Sequence, residues 1–313
     1  MYPSVGSDSS RKRSVERISA ILPIRLSGTP GDLTTFARGR TLLASLDRRG
    51  LLGIFQEILL VVPDRELSLA HRLVAPFADG PFTVIGEDEA FPQFRTFPGQ
   101  HEYRKQQLIK LGATARAATE FTLTLDADVY CCHSFETSDL VIEGRALMQM
   151  EPRAMHAPWW KASAELLSTE PDRSPLGMSG TPALLSRTIS RALLAALESL
   201  HGRDPIALLL DQASSRWTEY TLYHLCAEKN GLLDRFHLPA GEQGRPSLIC
   251  EASLWSARSL PDWDPSPCFS RPPSALFIVC QSNTGLPPDL VAAKLSRLEE
   301  RRGVAMCGGD SVP

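Results

Sequence analysis

Short apolar segments alternate with segments of helical periodicity through the first 125 residues of the chain. Strands are predicted at residues 18–26, 55–62, 81–85 and 121–125. Three helices are predicted between these strands. The first is capped by Asp32 or Thr34 and ends after Leu46, and the others lie at residues 66–74 and 102–118. Apolar strands separated by helices are typical of a parallel sheet that is covered on both faces. The alternation therefore predicts an α/β fold.

In the second half of the chain, predicted strands and helices are fewer and farther apart. Strands are predicted at residues 146–150 and 275–279, and helices at residues 184–200 and 218–229. A stretch rich in Pro and Ser at residues 261–273 predicts a loop. We expect one domain at residues 18–300 between flexible tails at residues 1–17 and 301–313.

The charge of the chain is nearly balanced, which argues against a nucleic-acid partner. Lys and Arg together number 33 and Asp and Glu number 36, for a formal net charge of −3. A nucleic-acid-binding protein usually carries a basic surface and a high isoelectric point. Hydrophobic residues make up 43% of the 313 residues, which is enough for a large buried core.

Neither a membrane span nor a disulfide framework is predicted. The most apolar early run, residues 51–63, is too short to cross a bilayer and contains Gln56 and Glu57. The first residues contain no apolar segment long enough for a signal peptide. Seven cysteines are an odd number scattered over a long chain, so we expect reduced thiols and a cytoplasmic location. The adjacent Cys131 and Cys132 point to opposite faces of an extended segment, which predicts buried thiols rather than a zinc site.

Two acidic residues follow the fourth predicted strand directly. Asp126 and Asp128 come after the apolar run FTLTL, and ligand sites in open α/β sheets lie beyond the carboxyl ends of strands. Two carboxylates there suit Mg²⁺ or Mn²⁺, which water and substrate phosphates complete. The alternative is a turn in which one aspartate caps a backbone amide and the other faces solvent. The position after a buried strand favours the metal site.

The segment around the acidic pair resembles a family of enzymes. Residues 103–130 (YRKQQLIKLGATARAATEFTLTLDADVY) resemble bacterial GT-A-type glycosyltransferase-like proteins, which have a Q-Q-x-x-K-L…D-x-x-L-x-L-D-A-D pattern before the metal site. Residues 217–223 (WTEYTLY) and 277–285 (FIVCQSNTG) fit the same resemblance, which covers about residues 18–295. It implies a GT-A-like catalytic domain with a mixed, mostly parallel sheet flanked by helices. It also implies a nucleotide-sugar donor and a hydroxyl acceptor, such as a glycan or a surface-polysaccharide precursor.

The resemblance also implies roles for the acidic pair. Asp126 is expected to contact the ribose side of the nucleotide, or the metal through water, and Asp128 to ligate Mn²⁺ or Mg²⁺. Many GT-A enzymes supply a late histidine as a further ligand, but here the late strand runs into Gln281, Ser282 and Asn283. Gln281 or Ser282 is therefore a candidate ligand, and the alternative is a metal held by the acids and water alone.

The helix before the acidic pair supplies candidate donor-binding residues. Gln107 and Lys110 share a helix face with Tyr103, and a cation there can neutralise a diphosphate. The alternative for a single lysine is a solvated helix face with an extended side chain. With the resemblance, Lys110 and Gln107 are the preferred pair.

Acceptor-side candidates lie in two later segments. Glu219 stands in the first turn of a helix capped by Thr218, where it serves either as the general base or as a favourable charge on the helix dipole. Trp217 is a candidate sugar-stacking ring. The small residues Gly180 and Thr181 allow close approach of a ligand, or simply form the entry to the next helix.

Two rival functions come from other classes. An apolar strand followed by D-x-D also begins haloacid-dehalogenase-type phosphatases, but there the motif follows the first strand. The late acidic candidate, Asp310, lies in the predicted tail. The second rival is a GT-A-like protein that binds a nucleotide or a glycan without turnover. A dinucleotide-binding fold is excluded because no G-x-G-x-x-G follows the first strand.

Overall fold

The computed structural model describes residues 17–28, 33–97, 102–170, 174–212, 217–259 and 262–307. Nearly all of the predicted N-terminal tail, the predicted cap Asp32 and the acidic candidate Asp310 lie outside these ranges. The last helix continues to Cys307 and so includes the first residues of the predicted C-terminal tail.

Helices and strands alternate along the described chain. The strands are β1 (Ile18–Pro23), β2 (Phe55–Val62), β3 (Phe82–Gly86), β4 (Phe121–Thr124), β5 (Val129–Cys131), β6 (Val141–Ile142), β7 (Arg145–Met148), β8 (Glu151–Pro152), β9 (Leu176–Gly177), β10 (Ala183–Ser186), β11 (His237–Pro239), β12 (Ser247–Ile249) and β13 (Ala275–Val279). The α-helices are α1 (Thr34–Asp47), α2 (Leu67–Val74), α3 (Glu87–Ala90), α4 (Glu102–Arg116), α5 (Thr137–Leu140), α6 (Ala157–Leu167), α7 (Arg187–His201), α8 (Pro205–Leu210), α9 (Glu219–Lys229), α10 (Leu233–Phe236) and α11 (Pro288–Cys307).

The central sheet has five strands in the order β10-β4-β1-β2-β3. The four strands β3, β2, β1 and β4 run parallel, and β10 pairs with β4 in the antiparallel direction. All residues of β1 and β4 are buried, as expected for the middle of a sheet that is covered on both faces. The prediction of a mixed, mostly parallel sheet flanked by helices is confirmed.

The chain reverses its direction across the sheet at β1. It passes from β1 to β2 and β3 on one side and then returns through α4 to β4 on the other side. Helix α1 packs with α2 and with α11, whereas α4 packs with α7, α8 and α9. The reversal leaves a crevice between the carboxyl ends of β1 and β4, which is the usual ligand position in an open α/β sheet.

A smaller sheet fixes the loop after the last strand against the acidic pair. Its order is β12-β13-β5, and β13 is antiparallel to β5. The backbone N–H of Cys280 donates to the carbonyl of Asp128 at 2.9 Å. Gln281 and Ser282 therefore lie next to the turn that carries Asp126 and Asp128.

The predicted helix at residues 184–200 begins too early. Leu184 to Ser186 belong to β10, where they pair with β4, and α7 begins at Arg187. The Ser186 side chain accepts a hydrogen bond from the backbone N–H of Ile189, at 3.2 Å, and so caps the helix. The strand passes directly into the helix at Ser186 and Arg187 with no loop between them, so the apolar pattern alone does not divide the two elements.

The prediction that all cysteines are reduced is wrong. Cys250 and Cys268 form a disulfide that joins two segments 18 residues apart. Among the cysteines whose side chains the structure describes, four others are free and buried, including Cys131 and Cys132, as predicted for those two. Separately, none of the helices in the described ranges has the length and apolar character needed to cross a membrane.

Candidate functional site

The crevice at the carboxyl ends of β1 and β4 has a volume of about 610 Å³. The segments that line it follow β1, β4 and β13 or belong to the first turns of α1 and α4. The lining residues are Pro23, Ile24, Arg25, Ser27, Gly28, Thr35, Arg38, Tyr103, Gln106, Asp126, Ala127, Asp128, Gln281 and Ser282. The volume is suited to a ligand of nucleotide size.

Asp128 is held in place by the loop that follows β13. Its Oδ2 accepts a hydrogen bond from the backbone N–H of Ser282 at 3.1 Å. Burial, and next the charge of Asp126, raises the pKa of the Asp128 carboxyl to about 6. The two neighbouring carboxylates, Asp126 and Asp128, thus favour the binding of a proton or a cation between them.

Asp126 belongs to a network of charges centred on Lys110. The Nζ atom of Lys110 lies 2.8 Å from Oδ1 of Asp126 and 3.1 Å from Oε1 of Glu219. It also donates to Oγ1 of Thr181 at 3.1 Å. The hydroxyl of Tyr220 lies 2.7 Å from the same Thr181 oxygen. One lysine therefore joins α4, the turn after β4, the segment before β10 and α9.

The network keeps Lys110 charged although its side chain is buried. Burial lowers the pKa of Lys110, but Asp126, Tyr220 and Glu219 outweigh that effect and raise it well above its ordinary value. Burial raises the pKa of Glu219, and the nearby lysine opposes that rise. The cluster is therefore two carboxylates that share one ammonium ion.

Two arginines bring positive charge to the crevice from the β1 side of the sheet. Arg25 lies two residues after the end of β1, and its Nε donates to the carbonyl of Ser27 at 3.0 Å. Arg38 in α1 is 5% exposed, and its two terminal nitrogens donate to the carbonyls of Cys280 and Leu286. Sequence reasoning missed both residues. The position of Arg25 at the end of the first strand was the available signal, because ligands bind at such ends.

The two predicted donor-binding residues of α4, Gln107 and Lys110, do not line the crevice themselves. Gln107 is 3% exposed, and its neighbour Gln106 lines the crevice instead. Lys110 reaches the crevice only through Asp126. The candidates Gln281 and Ser282 both line the crevice beside Asp128.

Glu219 and Trp217 are buried, which does not support their predicted contacts with an acceptor. Each residue is 3% exposed. The Glu219 carboxylate faces Lys110 and not solvent, so it is not placed to take a proton from an acceptor hydroxyl. The indole of Trp217 packs in the main hydrophobic core, so it presents little surface to a sugar.

Gly180 and Thr181 lie half-buried next to the lysine network. A Cβ added to Gly180 would approach Cδ1 of Ile249 to 3.1 Å, so the close packing of this segment favours glycine. Thr181 contacts Lys110 and Tyr220 through its hydroxyl. Thr181 is therefore connected to Asp126 through the side chain of Lys110, and Gly180 precedes it in the same segment.

The oxygen atoms of the acidic pair fit a hard divalent cation. No described residue binds Oδ2 of Asp126 or Oδ1 of Asp128. No group of three or more His, Cys, Asp or Glu side chains in the described ranges stands close enough to hold a metal. Mg²⁺ and similar ions are commonly bound by one or two carboxylates and complete their coordination with water and phosphate oxygens. The pair suits a cation of that kind and not a cage built by the protein alone.

Comparison with known proteins identifies the fold and the family. No curated protein matches the chain. The chain is similar to the apo crystal structure of mouse xyloside xylosyltransferase 1, with 15% identity, a TM-score of 0.52 and coverage of 87% of this chain and 100% of that one. At this identity the likeness shows the fold alone, and it confirms the predicted GT-A-like architecture. The model of a family of unknown function, DUF6492, matches residues 15–301, so the chain belongs to that family.

Proposed function

We propose that the chain is a glycosyltransferase that moves a sugar from a nucleoside-diphosphate donor to a hydroxyl acceptor, with Mn²⁺ or Mg²⁺ at the acidic pair. The observation that carries the proposal is the position of Asp126 and Asp128. They lie where the chain reverses across the sheet, inside a crevice of nucleotide size. The GT-A-like fold supports the same class of reaction by analogy.

In this proposal the crevice holds the donor. Asp128, with Asp126 beside it, would hold the metal, which would offset the negative charge that develops on the diphosphate leaving group. Arg25 lines the crevice and provides a guanidinium for the donor phosphates. Arg38 donates to two backbone carbonyls and so holds the loop after β13. Ser27 and Gly28 form the remaining edge beside Arg25.

Lys110 acts as a positioning residue for the acidic pair. It binds one oxygen of Asp126 and leaves the other toward the crevice. Glu219 also forms an ion pair with Lys110. The ammonium is therefore held by two carboxylates and is not freely available to the donor. The acceptor enters beside Gly180 and Thr181. Transfer breaks the bond from the anomeric carbon to the diphosphate oxygen and forms a bond to the acceptor oxygen, and the proton of the acceptor hydroxyl passes to the departing diphosphate.

Calorimetric titration of UDP and GDP, each with and without Mn²⁺, tests the proposal. We expect metal-dependent binding to the wild type and its loss in Asp128→Asn, because the amide cannot replace the carboxylate charge. The matched control is Asp79→Asn, which changes an exposed aspartate far from the acidic pair in sequence. Equal metal-dependent binding by the wild type and Asp128→Asn would rule out the metal assignment.

The burial of Glu219 favours a second candidate function, a GT-A-like protein that binds a nucleotide-sugar without transferring it. The predicted base is 3% exposed and paired with Lys110. After donor binding is measured, release of nucleoside diphosphate from a panel of nucleotide-sugars distinguishes the two functions. Release with an acceptor present supports the transferase, whereas binding with no release from any donor supports the non-catalytic protein.

A further inference from the structure

A second recess, here called the arginine pocket, lies at the opposite end of α1 from the crevice. Its volume is about 310 Å³. The lining residues are Arg48, Arg49, Cys132, His133, Ser134, Phe269, Arg271 and Glu299. Arg38, in the first turns of α1, lines the crevice, whereas Arg48 and Arg49 follow the last turn. Arg38 and Arg48 are ten residues apart along α1, which is about 15 Å, so the two recesses are separate.

Positive charge exceeds negative charge on the walls of the arginine pocket. Three arginines face one carboxylate, that of Glu299. Arg49 is the best neutralised of the three, because it pairs with Glu299 and donates to the carbonyls of Ser45 and Cys132. Arg49 and Glu299 therefore form a structural pair, and the charge of the other two arginines remains.

Arg48 is only partly neutralised. Its side chain is 47% exposed and lies 3.6 Å from the same Glu299 carboxylate. One of its terminal nitrogens donates to the hydroxyl of Tyr130 at 2.7 Å, and that hydroxyl in turn donates to Glu299 at 2.8 Å. Tyr130 thus fixes the guanidinium of Arg48 at the wall of the pocket.

Arg271 brings a guanidinium from a different part of the chain. It is exposed, and no described residue forms an ion pair or a hydrogen bond with its side chain. His133 lines the same recess, and its Nε2 lies 2.8 Å from the carbonyl of Cys268, so this nitrogen carries the proton. The helix dipole favours basic residues at the C-terminal end of α1, which accounts for Arg48 and Arg49. Arg271 is not part of α1, so the dipole does not account for it.

We propose that the arginine pocket binds the phosphate group of a small soluble molecule, at a site distinct from the crevice. Arginine presents a planar fork of donors that matches phosphate oxygens. The partly neutralised guanidinium of Arg48 and the guanidinium of Arg271, from separate segments, together suit a doubly charged anion. The ligand lies between the end of α1, the loop after β5 and the segment before β13. The proposal does not depend on the activity proposed for the crevice.

Titration with inorganic phosphate in a metal-free buffer tests this site, with heat release and thermal unfolding as readouts. We expect saturable binding to the wild type and an affinity about tenfold lower in Arg271→Ala, which removes hydrogen bonds to a charged group. Because Arg271 is exposed and no described residue forms an ion pair or a hydrogen bond with its side chain, we expect the variant to keep its fold, which circular dichroism checks.

Two control variants locate the binding. Arg72→Ala removes an exposed arginine of α2 and is expected to bind phosphate like the wild type. Arg25→Ala removes one of the two arginines that line the crevice and is expected to keep the phosphate affinity of the arginine pocket. Absence of saturable binding, loss of binding in Arg25→Ala and not in Arg271→Ala, or equal binding of acetate would each overturn the proposal.

Discussion

At the scale of single residues, the least expected feature is the ammonium of Lys110 between two carboxylates. Lysine is rarely buried without a partner, because the loss of water around its charge is costly. Here the side chain of Lys110 is 4% exposed, and Glu219 is buried to the same extent. Asp126 is more accessible, with 32% of its side chain exposed. Glu219 therefore depends on Lys110 more than Asp126 does.

Replacement of the lysine should unbalance this cluster. Lys110→Met leaves Glu219 buried without its counter-charge, so we expect the free energy of unfolding to fall by about 3–5 kcal/mol. The double variant Lys110→Met/Glu219→Gln removes both charges and should recover part of that loss. Urea unfolding measures both values. Lys161→Met, at an exposed position of α6, is the matched control and should change stability little. A loss below about 1 kcal/mol in Lys110→Met would contradict the pairing.

At the scale of secondary structure, the long buried strands could be predicted and the short ones could not. The apolar runs of β1, β2, β4 and β13 are bounded by turn residues, so periodicity finds them. β10 lacks such a boundary because Ser186 ends the strand and caps α7 in one position. The two-residue strands β6, β8 and β9 exist only through their pairing partners, which a local pattern does not contain.

The candidate site also combines features that the local sequence predicts with features that depend on packing. Asp126 and Asp128 could be found because they directly follow a strand, and a rule connects strand ends with ligands. The contact between Lys110 and Glu219 joins residues 109 positions apart, and that of Arg38 with Cys280 spans 242. The preference for Gln106 over Gln107 at the crevice depends on how α4 is rotated against the sheet. These features are set by packing, so the sequence alone does not reveal them.

The disulfide gives a prediction for the segment that leads into β13. Cys250 and Cys268 close an 18-residue loop, and its cross-link reduces the freedom of the unfolded chain. We expect the paired variant Cys250→Ser/Cys268→Ser to lose about 3 kcal/mol of stability. Reductant should lower the unfolding midpoint of the wild type and leave that of the variant unchanged. The same response to reductant in both proteins would show that the bond is absent.

At the scale of the whole molecule, two buried histidines connect stability to pH. His224 in α9 is 1% exposed and lies edge-on to Trp160 of α6, with ring centroids 5.5 Å apart. His237 begins β11, is 3% exposed and lies 2.7 Å from the hydroxyl of Tyr223. Burial lowers the pKa of His224 to about 3 and that of His237 to about 4. Both are therefore neutral in the folded protein across the mildly acidic range.

Since an unfolded histidine has a pKa near 6.5, the unfolded chain binds more protons than the folded one below that pH. The contribution of the two neutral histidines to the free energy of unfolding is fully present above pH 6.5. It is lost as pH falls toward 4, at about 1.4 kcal/mol per pH unit for each histidine. Asp128 acts in the opposite sense, because its pKa is raised in the folded state. A single variant is therefore needed to isolate the histidine effect.

His237→Gln should flatten the fall in stability between pH 6.5 and 4, because the amide keeps a polar contact with Tyr223 but takes up no proton. Urea unfolding at a series of pH values measures the slope, which is expected to decrease by about 1.4 kcal/mol per pH unit. His71→Gln, at an exposed position of α2, is the control and should leave the slope unchanged. An identical slope in His237→Gln and the wild type would mean that His237 becomes protonated without unfolding. The layer formed by α9 and β11 would then be accessible to solvent in the folded protein.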